Sequence, residues 1–149
     1  MNKLSAFLNP LPINEEREVI ISERFVERDD KGKAVTDADG HNIIVPFKIR
    51  AISQAENDRL VKEHTHKVKI NGQYEDRLDD LAYGRALLIA GTVEPDFRST
   101  QMCEAYGTLN PLEVPGRMLL AGEYRRLSRA IMELSGFNDD DAAIDEAKN

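Results

Sequence analysis

Cysteine, tryptophan, positive charge and long apolar runs are what this chain lacks. A single cysteine, Cys103, excludes an internal disulfide framework. There is no tryptophan, and the few Phe and Tyr are scattered, so no aromatic platform for stacking bases is visible. The longest apolar run, Ala86-Leu87-Leu88-Ile89-Ala90-Gly91-Thr92-Val93, falls far short of the roughly 20 residues that a membrane helix needs. The opening Met1-Asn2-Lys3-Leu4-Ser5-Ala6-Phe7-Leu8 lacks the long apolar core of a secretory signal. Against 27 Asp and Glu stand only 20 Lys and Arg, a net charge of −7. That balance argues against nonspecific nucleic-acid binding, which demands clustered cations. Together these absences predict a soluble, reduced, cytoplasmic protein with no nucleic-acid or membrane partner.

What is present fits one domain over residues 1–137, followed by a flexible acidic tail over 138–149. Leu4 to Leu8 can form a helical turn, stopped by Asn9-Pro10-Leu11-Pro12. Val19, Ile21 and Phe25 share one parity among β-branched neighbours, which predicts a strand over Arg17–Glu27. Asp29 to Asn42 is rich in turn residues and reads as an exposed loop. No internal repeat is visible in it or elsewhere. Ile43, Val45, Phe47, Ile49 and Ala51 then alternate at strict period two, and Pro46 suggests an edge strand or a bulge. These two strands predict a long-looped hairpin.

Helices dominate the remainder. Ser53-Gln54-Ala55-Glu56 has capping-box spacing and opens a helix that runs to about His64. Lys67 to Gln73 reads as a short extended arm turning at Asn71-Gly72. A helix starting at Asp76 or Asp79 continues through Ile89, apolar nearly all round in its later turns, as a central buried helix would be. Ser99 to Tyr106 is a short helix with Gly107 as its stop. A further element around Leu112–Leu120 is expected to bend at Pro115-Gly116. The last helix carries Leu120, Tyr124, Leu127, Ile131 and Leu134 on one face, with Gly136 placed to end it. The expected class is α+β, predominantly α-helical: an N-terminal β-hairpin on a compact bundle of four to five helices. The tail, from Asn138-Asp139-Asp140-Asp141, has Ile144 as its only large apolar residue and reads as disordered.

Chemistry is hard to find. His64-Thr65-His66 and His41 lack partner ligands at the spacing a zinc site requires. Asp37-Ala38-Asp39-Gly40 faintly resembles a calcium loop, but Pro46 stands where the closing Glu belongs. Cys103, beside Met102 and Glu104, has no base to make it a nucleophile and reads as a structural thiol. There is no Gly-x-Ser-x-Gly elbow and no phosphate loop. No catalytic, cofactor or metal site is expected. The remaining candidate is a surface: Leu120, Tyr124, Leu127, Ile131, Leu134 and Phe137, a stripe that serves either as core or as partner groove.

The ordered motifs resemble one family. Leu4-Ser5-Ala6-Phe7-Leu8, Ile20-Ile21-Ser22-Glu23-Arg24-Phe25 and Pro46-Phe47-Lys48-Ile49-Arg50-Ala51-Ile52-Ser53 begin the pattern. Asn57 and Lys62-Glu63, Pro95-Asp96-Phe97, Ala105-Tyr106-Gly107, Met118-Leu119, Gly122-Glu123-Tyr124 and Glu133-Leu134-Ser135-Gly136-Phe137 complete it. In this order they resemble the XkdN-like tail assembly chaperones of tailed phages and prophages. The resemblance implies a non-enzymatic factor of the host cytoplasm that coats the tape measure protein, helps recruit tail-tube subunits and is absent from the finished virion. It leaves room for a homo-oligomer. A minor structural or tail-completion adaptor of the virion is the alternative. Tail chaperone genes often yield a longer frameshifted product, and Ala147-Lys148-Asn149 is compatible with the slippery heptamer A AAA AAC.

Overall fold

A computed structural model describes residues 2–12 and 16–137. The chain starts with a short helix, α1 (Lys3–Leu8), capped by Asn2, whose side chain accepts from the Leu4 N–H. Strand β1 (Glu16–Val19) pairs antiparallel with β2 (Phe47–Arg50), which pairs on its other side with β5 (Thr92–Glu94). β2 is therefore the central strand, not the edge that Pro46 suggests; the proline sits just before it. The irregularity in register falls between Lys48 and Ile49. Of the period-two series, Phe47 and Ile49 are buried and Val45 is exposed.

The first strand is shorter than expected because the chain turns after Val19. Ile21 still reaches the core, and Val19 and Phe25 pack against it. The segment from Phe25 to Val45 is not a plain loop. Glu27 donates its N–H to the Ile43 carbonyl, Val35 to Glu27, and Ile43 to Val35, closing a three-way ring. Residues 29–36 and 37–44 repeat one turn. The Asp29 carboxylate accepts from the Lys31 and Lys33 N–H groups, and Asp37 accepts from Asp39 and His41. Gly32 and Gly40 follow at φ +80 and +82, where only glycine is unstrained. An eight-residue repeat is thus present where the sequence pattern had shown none. Its members agree in Asp and Gly alone, with Lys33-Ala34-Val35-Thr36 opposite His41-Asn42-Ile43-Ile44.

Helix α2 (Gln54–Glu63) starts on Ser53, whose hydroxyl accepts from the Glu56 N–H. The reciprocal half of the expected capping box is missing. Glu56 turns instead to Arg50, with Arg50 Nη1 3.0 Å from Glu56 Oε2. Strands β3 (Thr65–Ile70) and β4 (Gln73–Leu78) form a separate two-stranded hairpin around Asn71-Gly72, both at positive φ. Asp76 lies in this hairpin, so α3 (Asp80–Gly91) begins from the Asp79 cap. Its later turns bury Ala86, Leu88, Ile89 and Gly91. A Cβ on Gly91 would lie 2.5 Å from Ile131 Cγ2, so glycine is what lets α3 approach the last helix.

Helix α4 (Thr100–Ala105) is capped by Ser99 and followed by Gly107 at positive φ. A 3-10 turn (Pro111–Glu113) leads into α5 (Val114–Met118), where Pro115 occupies the first turn and is tolerated there. The chain bends at Leu119 instead, which is extended, and α6 (Ala121–Leu134) follows. The core gathers Ile21, Phe47, Ile49, Leu88, Ile89, Phe97, Cys103, Val114, Leu119, Leu127 and Ile131. The mixed α+β class stands. Helix accounts for 42% and strand for 22%, and both supply core residues, a coarser picture than the expected helical bundle. The expected acidic tail lies outside the described residues.

Candidate partner-binding surface

The stripe on α6 is divided by packing. Leu127 and Ile131 are 0% and 1% exposed, so the middle of the stripe is core. Tyr124 and Leu134 are half-buried against that core. Only the two ends reach solvent, Leu120 at 62% and Phe137 at 51% exposure. Leu120 thus stands exposed at one end of α6 and Phe137 at the other.

Both ends of α6 are built for rigidity. At the C-terminal end Gly136 adopts φ +100. The Gly136 N–H donates to the Glu133 carbonyl and the Phe137 N–H to the Met132 carbonyl. This is the Schellman arrangement, and it fixes where Phe137 leaves the helix. At the N-terminal end Leu120, the capping residue, has no side-chain acceptor. The Glu123 carboxylate reaches back to the Leu120 N–H at 2.8 Å, so half of a capping box is present.

Glu123 is also the buried end of a long-range ion pair. It is 6% exposed. Arg24 grips it with two donors, Nη2 to Oε1 at 2.6 Å and Nε to Oε2 at 2.9 Å. The same guanidinium donates to the Met118 carbonyl and lies over the Phe25 ring. Arg24 holds the Glu123 carboxyl down at about 2, against the opposing effect of burial, with help from the Ser22 hydroxyl and the Leu120 N–H. Its partner Arg24 is raised by the same contact. Arg126, off the apolar stripe, donates to the Ile21 carbonyl. Arg24, Glu123 and Arg126 thus tie the turn after β1 to α6. Sequence reasoning missed this, although Arg24 and Glu123 both stand in the motifs that carry the resemblance. A glutamate three residues after Leu120, which offers no capping side chain, is the signal that was available.

Further exposed apolar side chains lie elsewhere. Leu4, Phe7 and Leu8 on α1, and Leu11 after it, are 60%, 82%, 69% and 90% exposed, and α1 buries no residue at all. The β3–β4 hairpin also projects, with Tyr74 at 70% exposure and most of β4 in solvent. Neither belongs to the stripe singled out from the sequence.

The polar candidates do not converge. His64 caps α2 and His66 lies in β3, exposed. Cys103 is buried, its Sγ 3.8 Å from the Phe97 carbonyl oxygen, as a structural thiol would be. Asp37, Asp39 and His41 bring their ligand atoms within 4.8 Å of one another, all exposed. Asp37 Oδ1 there is already engaged by two backbone N–H groups of its turn. No other group of metal-ligating side chains occurs among the described residues. No helix among them is long and apolar enough to cross a membrane.

Comparison with known proteins identifies the family. A family model of the phage XkdN-like tail assembly chaperone protein matches residues 4–148. The phage-like element PBSX protein XkdN of Bacillus subtilis (strain 168) is 38% identical over 139 residues, 91% of this chain and 85% of XkdN. The uncharacterized protein YqbN of the same strain is 35% identical over 136 residues, 89% of this chain and 83% of YqbN. The crystal structure of YqbN superposes with a TM-score of 0.66 at 32% identity, covering 93% of this chain and 99% of that one. The matched span runs from α1 to beyond α6 and so includes every element described above. The chain belongs to the XkdN-like family of phage tail assembly chaperones.

Proposed function

We infer that the protein binds the phage tape measure protein and helps recruit tail-tube subunits to it, acting by contact and not by catalysis. The observation that carries this reading is the family match over residues 4–148. The distribution of exposed apolar groups supports it. A tape measure is a long helical chain whose apolar faces need cover before the tube forms around it. A binder of such faces needs short apolar surfaces on an otherwise charged, soluble body. Here α1 and the Leu120 and Phe137 ends of α6 supply such surfaces on a chain of net charge −7.

The working place of such a factor is the host cytoplasm during assembly, and it leaves before the particle is complete. Co-expression with the tape measure gene tests the binding. The expected result is a soluble complex on gel filtration, with the tape measure insoluble when expressed alone; no complex in either order of addition counts against it. Mass spectrometry of purified particles distinguishes a chaperone, absent from them, from a tail-completion or minor structural protein, which would be retained. For the frameshifted product, the codons for Ala147-Lys148-Asn149 decide: a codon that breaks the heptamer ends the idea.

A further inference from the structure

We propose that the outer edge of β3 is a docking site for an acidic, extended segment of a partner, which joins the hairpin as a third strand. β3 and β4 form a sheet of their own, with both outer edges unpaired among the described residues. Two strands alone are marginal, and a third strand or a covering helix ordinarily steadies them. Here β4 is exposed from Gln73 to Arg77, and on β3 only Thr65, Val68 and Ile70 are half-buried. The phase of the ladder fixes which backbone groups face outward. Asn71 and Gly72, at φ 52 and 82, make a two-residue turn, so Ile70 and Gln73 exchange the first hydrogen bonds. At the far end the Asp79 N–H donates to the His64 carbonyl at 2.8 Å, in the same phase. Even-numbered residues of β3 therefore bond to β4, and the N–H and C=O groups of Thr65, Lys67 and Lys69 point away from it. Among the described residues the Lys67 and Lys69 backbones make no hydrogen bond outside the ladder.

Charge selects the occupant. β3 carries Lys67 and Lys69 and no acidic residue. The two lysines are exposed, two positions apart on one face of the strand, and neither belongs to an ion pair among the described residues. Lys67 stands across the ladder from Asp76 without closing on it, and Lys69 lies over the Tyr74 ring at 5.9 Å. Edge lysines oppose pairing with cationic or neutral strands and leave opposite charge as the way in. A second copy fits poorly. Joined β3 to β3, the copies would bring lysine against lysine; joined β3 to β4, they would assemble head to tail without a closed pair. A partner strand with carboxylates at alternate positions meets both lysines, and an apolar residue between them falls on the face of Val68. The chemistry recognised is thus acid, apolar, acid in an extended segment, held by main-chain bonds and selected by charge. This edge is separate from α1 and the exposed ends of α6, so the proposal does not rest on the tape measure reading and leaves those groups open.

A labelled peptide of alternating Glu and Val, titrated into the full chain and read by fluorescence anisotropy, tests the site. Saturable binding is expected, weakened at least about tenfold in dissociation constant by Lys67→Glu combined with Lys69→Glu. A peptide of alternating Lys and Val should reverse the preference and favour that double variant. Amide hydrogen exchange on the wild type supplies a readout that needs no variant. Bound peptide should slow exchange at the Lys67 and Lys69 amides and leave His66 and Val68, already bonded in the ladder, unchanged. Absence of saturable binding overturns the proposal, as does equal binding by the double variant. Binding that leaves the Lys67 and Lys69 amides unprotected also overturns it, by showing a charge contact without an added strand. So does a wild type that self-associates through this hairpin, which would make a second copy the occupant. Complex formation with a tape measure is measured separately, and its success or failure leaves these outcomes distinct.

Discussion

Replacing Glu123 by Gln probes the tie that holds α6 to the turn after β1. The substitution keeps shape and removes charge. It replaces one of the two oxygens gripped by Arg24 with an amide NH₂, which cannot accept from the guanidinium. A charge-assisted hydrogen bond is worth about 1.5–3 kcal/mol when lost. Arg24 is 48% exposed on its side chain and can turn to water once released, so no buried cation is orphaned. Solvent screening therefore places the loss toward the lower end, about 1–2 kcal/mol at neutral pH. With a urea m-value of roughly 1–3 kcal/mol/M, the unfolding midpoint should fall by on the order of 0.5–1 M. The pH dependence gives a sharper check. Glu123 titrates at about 2 in the folded chain, below its ordinary value of 4.5, so its contribution is complete above pH 4.5 and is lost as pH falls through 2. The difference between wild type and Glu123→Gln should follow the same course: full at pH 7, shrinking below 4.5 and close to zero near 2. Other carboxylates titrate in both proteins and cancel in the comparison. A gap that stays constant from pH 7 to pH 2.5, or no gap at pH 7, refutes the assignment of Glu123 as a charged structural partner.

Gly91→Ala should destabilise by about 1–3 kcal/mol through overpacking against Ile131, and Gly91→Ala with Ile131→Ala should cost less than the sum of the two, read by urea unfolding. Leu127→Ala should cost roughly 2–5 kcal/mol while Leu120→Ala costs under about 0.5; equal losses would deny the division of the stripe into core and surface. Asp29→Ala and Asp37→Ala should each speed hydrogen exchange at their own turn, at Lys31 and Lys33 or at Asp39 and His41, without speeding exchange in α6.

Helix ends were the most legible feature of the sequence, because their chemistry is local. Ser53, Asp79, Ser99 and Asn110 each accept from a backbone N–H two or three residues on, and Gly107 and Gly136 sit at positive φ where a stop was expected. Contacts between distant segments were less legible. The Arg24–Glu123 pair spans 99 positions, and nothing in a periodicity singles out one arginine among many. Pro115 was read as a bend because proline inside a helix breaks it, yet a short 3-10 turn before it makes that position a first turn. The eight-residue repeat escaped because its determinants are one carboxylate and one glycine per turn, both of which any loop contains. Only the ring through Glu27, Val35 and Ile43 shows that the two turns are equivalent. For the candidate surface, the pattern gives a stripe on α6 but not which way that stripe faces. Helical spacing gives a stripe, and burial of Ile131 depends on the close approach of α3 that Gly91 allows.

That dependence separates holding the fold from meeting partners. Leu127 and Ile131 cannot reach a partner without opening the core, and a buried leucine typically costs 2–5 kcal/mol to truncate. Such residues serve the fold, since offering them to any second molecule would forfeit that stability. The exposed groups have the opposite property. Leu4, Phe7, Leu8, Leu11, Leu120 and Phe137 contribute little to this chain's own core, so their burial against another molecule is available in full to binding. Rigid attachment adds to this at Phe137, whose departure from α6 is set by two backbone hydrogen bonds and the positive φ of Gly136. A side chain already held in one place loses less entropy on docking than a mobile one. The apolar side chains of α1 lie before β1, apart from α6, and are followed by Pro10 and Pro12. The exposed apolar groups of α1 are thus separate from what holds the fold, whereas Phe137 is at once half-buried and half-exposed.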